Sequence, residues 1–390
     1  MTPIRILELR SVRGTGGGPE KTILLGAARS NPRRYAVTVC YVRDARDTVF
    51  SIDRKAACLP IDYVEVVERH SFDRSIWPVL RRLVQDRRID IVHAHDYKTD
   101  VLAWLLHRAE GIIPLSTAHG WAGHSRRERL LYHRLDKQVL RLFPKVIAVA
   151  EDIRRELIRS GSKPGAVQTI LNGIDYTRFN RDRSRERPIR QLLGIASDEA
   201  VIGSVGRLET EKRYDLLIDT FASLRVTRPR LRLIVVGEGS LRSALEAQID
   251  RLRLGEVCHL LGLRSDIVDL HHAFDVFVQT SSNEGAPNAV LEAMALETPV
   301  VATAVGGTSQ LVRGDIDGLL VPAGNQETLV EAINRVLADG RATATRVASA
   351  RHRVETELSF DARMATLEAV YSELYGQHRT PEAAVLAART

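Results

Sequence analysis

A chain of 390 residues exceeds one ordinary domain of roughly 100–200 residues, so two domains are expected. With 44% hydrophobic and 27% charged residues, the composition excludes extended disorder, collagen and a disulfide-stapled mini-protein. Fifty-six Lys+Arg against 49 Asp+Glu leave a formal +7, which favours anionic partners without choosing among nucleic acid, acidic lipid and phosphorylated substrates.

Met1–Arg10 alternates apolar and charged residues, reads as a first strand over Ile4–Leu9, and lacks the apolar core of a signal peptide. Further strands are expected at Ala36–Val42, Ile89–His95, Leu115–Ala118, Lys145–Ala150 and Val167–Leu171. Amphipathic helices such as Ser75–Asp86 and Thr99–Arg108 lie between them, which is the βαβ rhythm of a parallel sheet. The charged stretch Asn180–Arg190, with Pro188, interrupts the rhythm and reads as a surface linker near the domain boundary.

The rhythm then restarts with strands expected at Val201–Val205, Leu231–Val236, Val257–Leu261, Val276–Gln279 and Val300–Ala304. Their near-continuous apolar character suits strands buried on both faces. The last helix is expected over Phe360–Tyr375. Two doubly wound α/β domains follow, with ligands at the carboxyl ends of the strands and so in a cleft between the domains. No stretch reaches the ~18 apolar residues of a membrane span. The three cysteines, Cys40, Cys58 and Cys258, form no CxxC pair; two of them sit in apolar strand-like runs and read as buried structural thiols, which fits a reducing cytoplasm.

Four constellations could carry chemistry. After the first strand, Gly14-Thr15-Gly16-Gly17-Gly18-Pro19 lets a ligand approach the backbone at a helix start, although Pro19 breaks a dinucleotide fingerprint and discounts Asp44 as a ribose ligand. After the first strand of the second domain, Arg207 and Lys212 can neutralise a diphosphate; taken alone they read as solvated cations paired with Glu209 and Glu211.

The third constellation runs from Ser282 to Met294, where Pro287 opens a helix whose first amides, from Gly285 to Ala289, face any ligand above it. Glu292 sits about one turn inside, where a carboxylate suits a sugar or ribose diol. The fourth is His119 at a strand end before Gly120. His93 and His95 point the same way on a neighbouring strand, but Asp96 is the only carboxylate expected nearby, so no metal site is assigned.

The ordered set GRLETEK, Glu284…Glu292, LEAMALETPVVATAVGG and GLLVPAG resembles the retaining GT-B glycosyltransferases of family 4. The glycine loop, HAHD, TAHG, LNGID and the final helix extend that resemblance over essentially the whole chain. It implies two Rossmann-like domains: residues 1–180 binding the acceptor and 181–359 binding a nucleotide sugar. A helix over 360–377 would cross back to the first domain, followed by a tail at 378–390.

Carried over, the resemblance implies that Gly16 and Gly17 admit the donor phosphate and the acceptor. It implies that Arg207 and Lys212 hold the diphosphate, Glu284 binds the transferred sugar, and Glu292 holds the ribose. Gly285, Ala286, Asn288 and Ala289 would contact sugar and phosphate through the backbone, and the strip Gly262–Arg264, with Leu263, would cradle the base. His119 would contact the sugar near the reaction centre, making His119, Arg207, Lys212 and Glu284 the catalytic set.

The chain departs from the family pattern at Arg213, Ala286 and Gln310; none of these removes a charged group to which the resemblance gives a role. The implied reaction uses a UDP- or GDP-linked sugar as co-substrate, needs no cofactor or metal, and delivers to a glycan or lipid-linked acceptor. Rival readings are a sugar-nucleotide epimerase, a phosphorylase, and an anionic-polymer binding protein. The first two lack their acid/base or Schiff-base groups, and the last lacks aromatics, at 5%, so nucleic acid is not expected as a partner.

Arg126–Phe143 carries six Lys+Arg and two acidic residues, with Leu131, Leu135, Val139 and Leu142 at helical spacing. That pattern fits either a helix packed on its own sheet or one that meets an anionic membrane. The expected location is therefore cytoplasmic, with peripheral attachment at the inner membrane face as the accompanying expectation.

Overall fold

The computed structural model describes residues 2–71, 73–120 and 133–378. The chain forms two compact units: one runs up to Ile170 and is rejoined from Arg363 onward, and the other spans Leu171–Ala362.

The first unit holds seven strands: β1 (Ile4–Ser11), β2 (Tyr35–Asp44), β3 (Asp62–Glu68), β4 (Ile91–Ala94), β5 (Ile113–Ala118), β6 (Lys145–Ala148) and β7 (Val167–Thr169). They pair in parallel in the order β3-β2-β1-β4-β5-β6-β7. The second holds β8 (Ala200–Val205), β9 (Leu231–Val236), β10 (Cys258–Leu260), β11 (Val276–Gln279), β12 (Val300–Thr303) and β13 (Leu319–Val321). Their order is β10-β9-β8-β11-β12-β13, again all parallel.

In both sheets the strand order reverses beside the first strand, between β1 and β4 and between β8 and β11. These are topological switch points, where helices depart to opposite faces and a crevice opens beyond the carboxyl ends of the strands. The central strands β4, β5, β11 and β12 are buried along their whole length. That is why they read as unbroken apolar runs.

Two strands escape the sequence pattern. In β3, acidic Asp62, Glu65 and Glu68 interrupt the apolar residues. An edge strand accepts this because Glu68 ion-pairs with Lys98, and Asp62 accepts from Thr38 on β2 at 2.7 Å. β13 is three residues long, too short for periodicity to show.

The expected linker Asn180–Arg190 is instead part of the second unit, folded as a turn at Arg183–Arg185 and a helix at Glu186–Leu192. Its charges are used structurally. Arg181 donates to the carbonyl of His271 (3.0 Å), Arg190 donates to that of Ala273 (3.1 Å), and Ile189 is buried. Composition alone reads such arginines as solvated, because carbonyl partners some 90 residues away leave no local signal.

The boundary lies instead at Ile170–Leu171. Just beyond it, the amide of Ile174 donates to Leu358 at 2.9 Å, and the amide of Phe360 donates to Ile174 at 2.9 Å. The entering and leaving segments of the second unit are thus stitched together. The final helix, Phe360–His378, carries Arg363 and the residues after it into the first unit. Cys40 and Cys258 are buried and Cys58 is exposed, all three as free thiols. Among the described residues, no helix is long and apolar enough to cross a membrane.

Candidate active site

In the second unit two of the candidate side chains, Lys212 and Glu284, meet above the β8/β11 switch point. Glu284 follows β11, and its Oε1 accepts three hydrogen bonds: from Lys212 Nζ at 2.5 Å, Ser281 Oγ at 2.6 Å and Gln279 Nε2 at 3.0 Å. Thr308 donates to Gln279 Oε1 at 3.1 Å, which turns the amide so that its NH2 faces Glu284. Oε2 of Glu284 has no hydrogen bond among the described residues and is available to accept hydroxyl protons. The sequence reading named Lys212 and Glu284 but not Gln279 and Ser281, which the structure brings to the same carboxylate oxygen. The available signal was a glutamine closing an otherwise apolar strand, DVFVQ.

Lys212 reaches its place from the short turn Thr210–Lys212 after β8. Arg207 does not join it there. Its guanidinium pairs with Glu211 at 2.8 Å and stays 60% exposed. Glu209 bonds Ser240 instead, through its backbone amide at 3.0 Å and hydroxyl at 2.7 Å.

The helix Asn288–Ala295 starts immediately after Pro287, and no side chain caps it. Its first amides are therefore left for a ligand or solvent, with the positive end of the helix dipole behind them. Glu292 is buried, at 5% exposure. Asn172, from LNGID, donates from Nδ2 to Oδ1 of Asn288 at 3.1 Å and so braces the helix start.

Gly285, Ala286, Asn288 and Ala289 are half-buried around that helix start, and Leu263 is 73% exposed beyond β10. Gly237 has φ +144, and a Cβ there would lie 1.9 Å from the Gly206 carbonyl oxygen, so the loops after β8 and β9 can meet only through glycine. Arg213 stands in left-handed backbone, φ 52, which glycine enters freely and other residues enter at a cost.

In the first unit the glycine loop follows β1. Glu20 accepts from the Gly17 amide at 2.5 Å and from Arg10 Nε at 2.5 Å, and Asp47 accepts from the Gly14 amide at 2.6 Å. Burial alone would raise Glu20, but Arg10 and the Gly17 amide outweigh it and hold the carboxyl below its ordinary range. Gly16, at φ +69, packs so that a Cβ would stand 2.6 Å from the Glu20 side chain. The loop is thus a fixed shape rather than a slack turn. Asp44 is tied to Arg13 at 2.8 Å and Arg46 at 2.9 Å.

His119 closes β5, half-buried, beside His95 after β4. His95 Nδ1 and His119 Nε2 are 3.3 Å apart, and the rings stack at 29°. His95 Nε2 lies 2.5 Å from Glu8 Oε2, and Tyr371 donates to Glu8 Oε1 at 2.7 Å. His93 contacts Tyr371 at 2.8 Å through Nδ1 and Thr117 at 2.7 Å through Nε2. Burial lowers His95 to about 4. Burial, with Arg10 and the neighbouring rings, also holds His119 well below the usual imidazole range. Both shifts favour the neutral imidazole.

The carboxylate beside His93 and His95 is Glu8, not Asp96 as the sequence suggests. Asp96 instead caps the helix Tyr97–Glu110 and accepts from the Ser11 amide at 2.7 Å. Glu8, His93 and His95 place one potential ligand atom each within 4.8 Å of one another. Donors sharing a tetrahedral zinc stand about 3.3 Å apart. The Glu8–His95 separation of 2.5 Å is that of a hydrogen bond, which the geometry favours.

Two doubly wound units, each built on an all-parallel sheet, are the architecture of the GT-B class of α/β transferases. The sequence model described as "Glycosyl transferases group 1" matches residues 185–353, and "Glycosyltransferase Family 4" matches residues 16–178. The chain belongs to family 4 of the glycosyltransferases and is an enzyme of the transferase class EC 2.4.

Among its relatives, UDP-Gal:alpha-D-GlcNAc-diphosphoundecaprenol alpha-1,3-galactosyltransferase of Escherichia coli is 28% identical, over 67% of this chain and 69% of that protein. D-inositol 3-phosphate glycosyltransferase of Salinispora tropica is 29% identical, over 75% of this chain and 65% of its own length. In fold, the chain is similar to Anabaena HepE in complex with UDP-glucose, with TM-score 0.84, 23% identity, and coverage of 95% of this chain and all of that one.

Proposed function

We propose that the protein is a retaining glycosyltransferase that moves a sugar from a UDP- or GDP-linked donor to a glycan or lipid-linked acceptor without a metal ion. The observation that carries this reading is the Lys212–Glu284 pair, 2.5 Å apart beside an uncapped helix N-terminus. Lys212 uses one of its three donors on Glu284, leaving the others for a phosphate oxygen. Glu284 Oε2 is left for sugar hydroxyls, so one ion pair spans the sugar–phosphate bond that breaks. Arg207 can join it at little cost, because an exposed pair such as Arg207–Glu211 is worth about 0–1 kcal/mol.

In the reaction, the bond between the anomeric carbon and the diphosphate oxygen breaks while an acceptor oxygen bonds that carbon from the same face. The acceptor proton passes to the leaving phosphate. Lys212, Arg207 and the helix amides stabilise the charge that develops on that group, the role a metal would otherwise fill. The UDP named for HepE and the UDP-sugar and diphospho-lipid named for the Escherichia coli relative support the donor and acceptor classes.

The basic segment 126–143 supports a peripheral site on the inner membrane face, in cell-surface polysaccharide or glycolipid synthesis. Residues 126–132, with Leu131, lie outside the described residues. Of the remainder, Leu135 and Leu142 are 56% and 59% exposed, on and just after the helix His133–Leu140, while Val139 is half-buried. Proton NMR of the product tests the chemistry: the donor's anomeric configuration is retained and turnover persists in EDTA. An inverted product, or full loss of turnover in EDTA, contradicts the proposal. Flotation with anionic and neutral vesicles tests the membrane site, which is withdrawn if neither binds.

A further inference from the structure

The hydrogen bonds around His119 fix where its proton sits. Glu8 is 7% exposed and can act only as an acceptor while ionised. Burial alone would raise it, but His93 and His95 outweigh that effect and keep the carboxyl well below its usual range. Each group facing Glu8 must therefore donate.

Tyr371 donates to Oε1 at 2.7 Å, so its oxygen accepts from His93 Nδ1–H at 2.8 Å, and Thr117 donates to His93 Nε2 at 2.7 Å. On the other carboxylate oxygen, His95 must donate from Nε2 at 2.5 Å. A neutral His95 then has a bare lone pair on Nδ1, 3.3 Å from His119 Nε2. Two bare nitrogens facing each other repel, so His119 must carry its proton on Nε2. One chain of contacts, from Tyr371 through Glu8 and His95, decides which nitrogen of His119 is protonated.

We infer that Glu8 and His95 are positioning residues that lock His119 as its Nε2–H tautomer, leaving Nδ1 as a hydrogen-bond acceptor for a substrate hydroxyl. Nδ1 has no partner among the described residues. In this state His119 accepts a hydroxyl proton in a hydrogen bond and cannot donate from Nδ1 to the leaving phosphate. The inference rests on the reading of His119 as the group that meets the transferred sugar, and it specifies the direction of that contact. It also explains two buried polar side chains, Glu8 and His95, that the Lys212–Glu284 cluster of the second unit does not use.

The test is a long-range proton–nitrogen correlation spectrum of the full-length protein labelled with 15N-histidine, the His119 signals being assigned with His119→Gln. The expected result is a protonated Nε2 and an unprotonated Nδ1 on His119. A protonated Nδ1 with a bare Nε2 overturns the inference, whatever the turnover.

Two variants add the functional reading. His95→Phe keeps a ring but offers no acceptor, and is expected to lose about tenfold in kcat while UDP affinity stays within about twofold. His95→Asn returns an acceptor oxygen at the Nδ1 position and is expected to recover most of that loss. Equal kcat losses in both variants overturn the positioning role. Wild-type turnover in His119→Ala instead removes the sugar-contact reading, and leaves the tautomer to stand or fall on the spectrum alone.

Discussion

The two units build their candidate side-chain clusters by opposite strategies. In the second unit, the loop from Ser281 to Glu284 and the turn ending at Lys212 meet at one carboxylate oxygen that accepts three donors. A charged pair there is only partly covered, with side chains 19% and 9% exposed, so Lys212 can share its charge with an anion. In the first unit, Glu8, His93 and His95 are buried and their hydrogen bonds are internally satisfied. The second unit presents charge to its ligand, whereas the first uses buried charge to orient a neutral ring. Mutations should therefore separate cleanly: changes in the second unit alter donor handling, and changes in the first alter stability and sugar contact.

The largest effect is expected from Lys212→Ala. Loss of about 2–4 kcal/mol of transition-state stabilisation lowers kcat/KM by roughly 30- to 1000-fold, with the melting temperature little changed. Near-wild-type turnover in a steady-state transfer assay would remove Lys212 from the chemistry and break the comparison.

Tyr371→Phe probes the other half. It removes a donor to Glu8 and the acceptor for His93, costing about 1–3 kcal/mol of stability by thermal or urea unfolding. Nucleotide affinity is expected to stay unchanged. A parallel loss of UDP binding would contradict the separation of the two units' roles.

A smaller effect concerns Asp100, buried beside Asp136 and raised well above its usual range by burial and by that second carboxylate. The folded protein keeps a proton that the unfolded chain releases near 3.9, so the group's contribution falls as pH rises from there through the raised folded value. Asp100→Asn is expected to raise the melting temperature at pH 7 and to have much less effect at pH 4. The same gain at both values would contradict the buried-acid account.

The smallest effect is expected at Arg213. Glycine relieves its left-handed backbone but loses the 3.0 Å pair with Asp215 and some chain entropy. Differential calorimetry of Arg213→Gly is expected to show a gain below about 1 kcal/mol. A clear loss would mean that the arginine side chain outweighs the strain.

The contrast between the halves also explains what could be read from the chain. Glu284, Glu292 and Lys212 stand in short motifs after apolar strands, where strand-to-loop transitions are visible. Glu8 gave no such signal. It sits inside the alternating run IRILELRS, where a carboxylate reads as solvent-facing, and its partner Tyr371 is 363 positions away. The arginines of 181–190 misled for the same reason, since charge in sequence marks solvent only when no distant carbonyl or carboxylate receives it. The strands whose burial covers both faces were legible; the acidic edge strand β3 and the three-residue β13 were not.

The central claim is that the second unit holds a nucleotide sugar through Lys212 and Glu284. Thermal unfolding of the wild-type protein and of Lys212→Ala, with UDP-, GDP- and ADP-sugars in turn, tests it most directly. The account predicts stabilisation of the wild type by a UDP- or GDP-sugar and a much reduced shift in the variant. Absence of a shift with every donor, or an undiminished shift in Lys212→Ala, would contradict it.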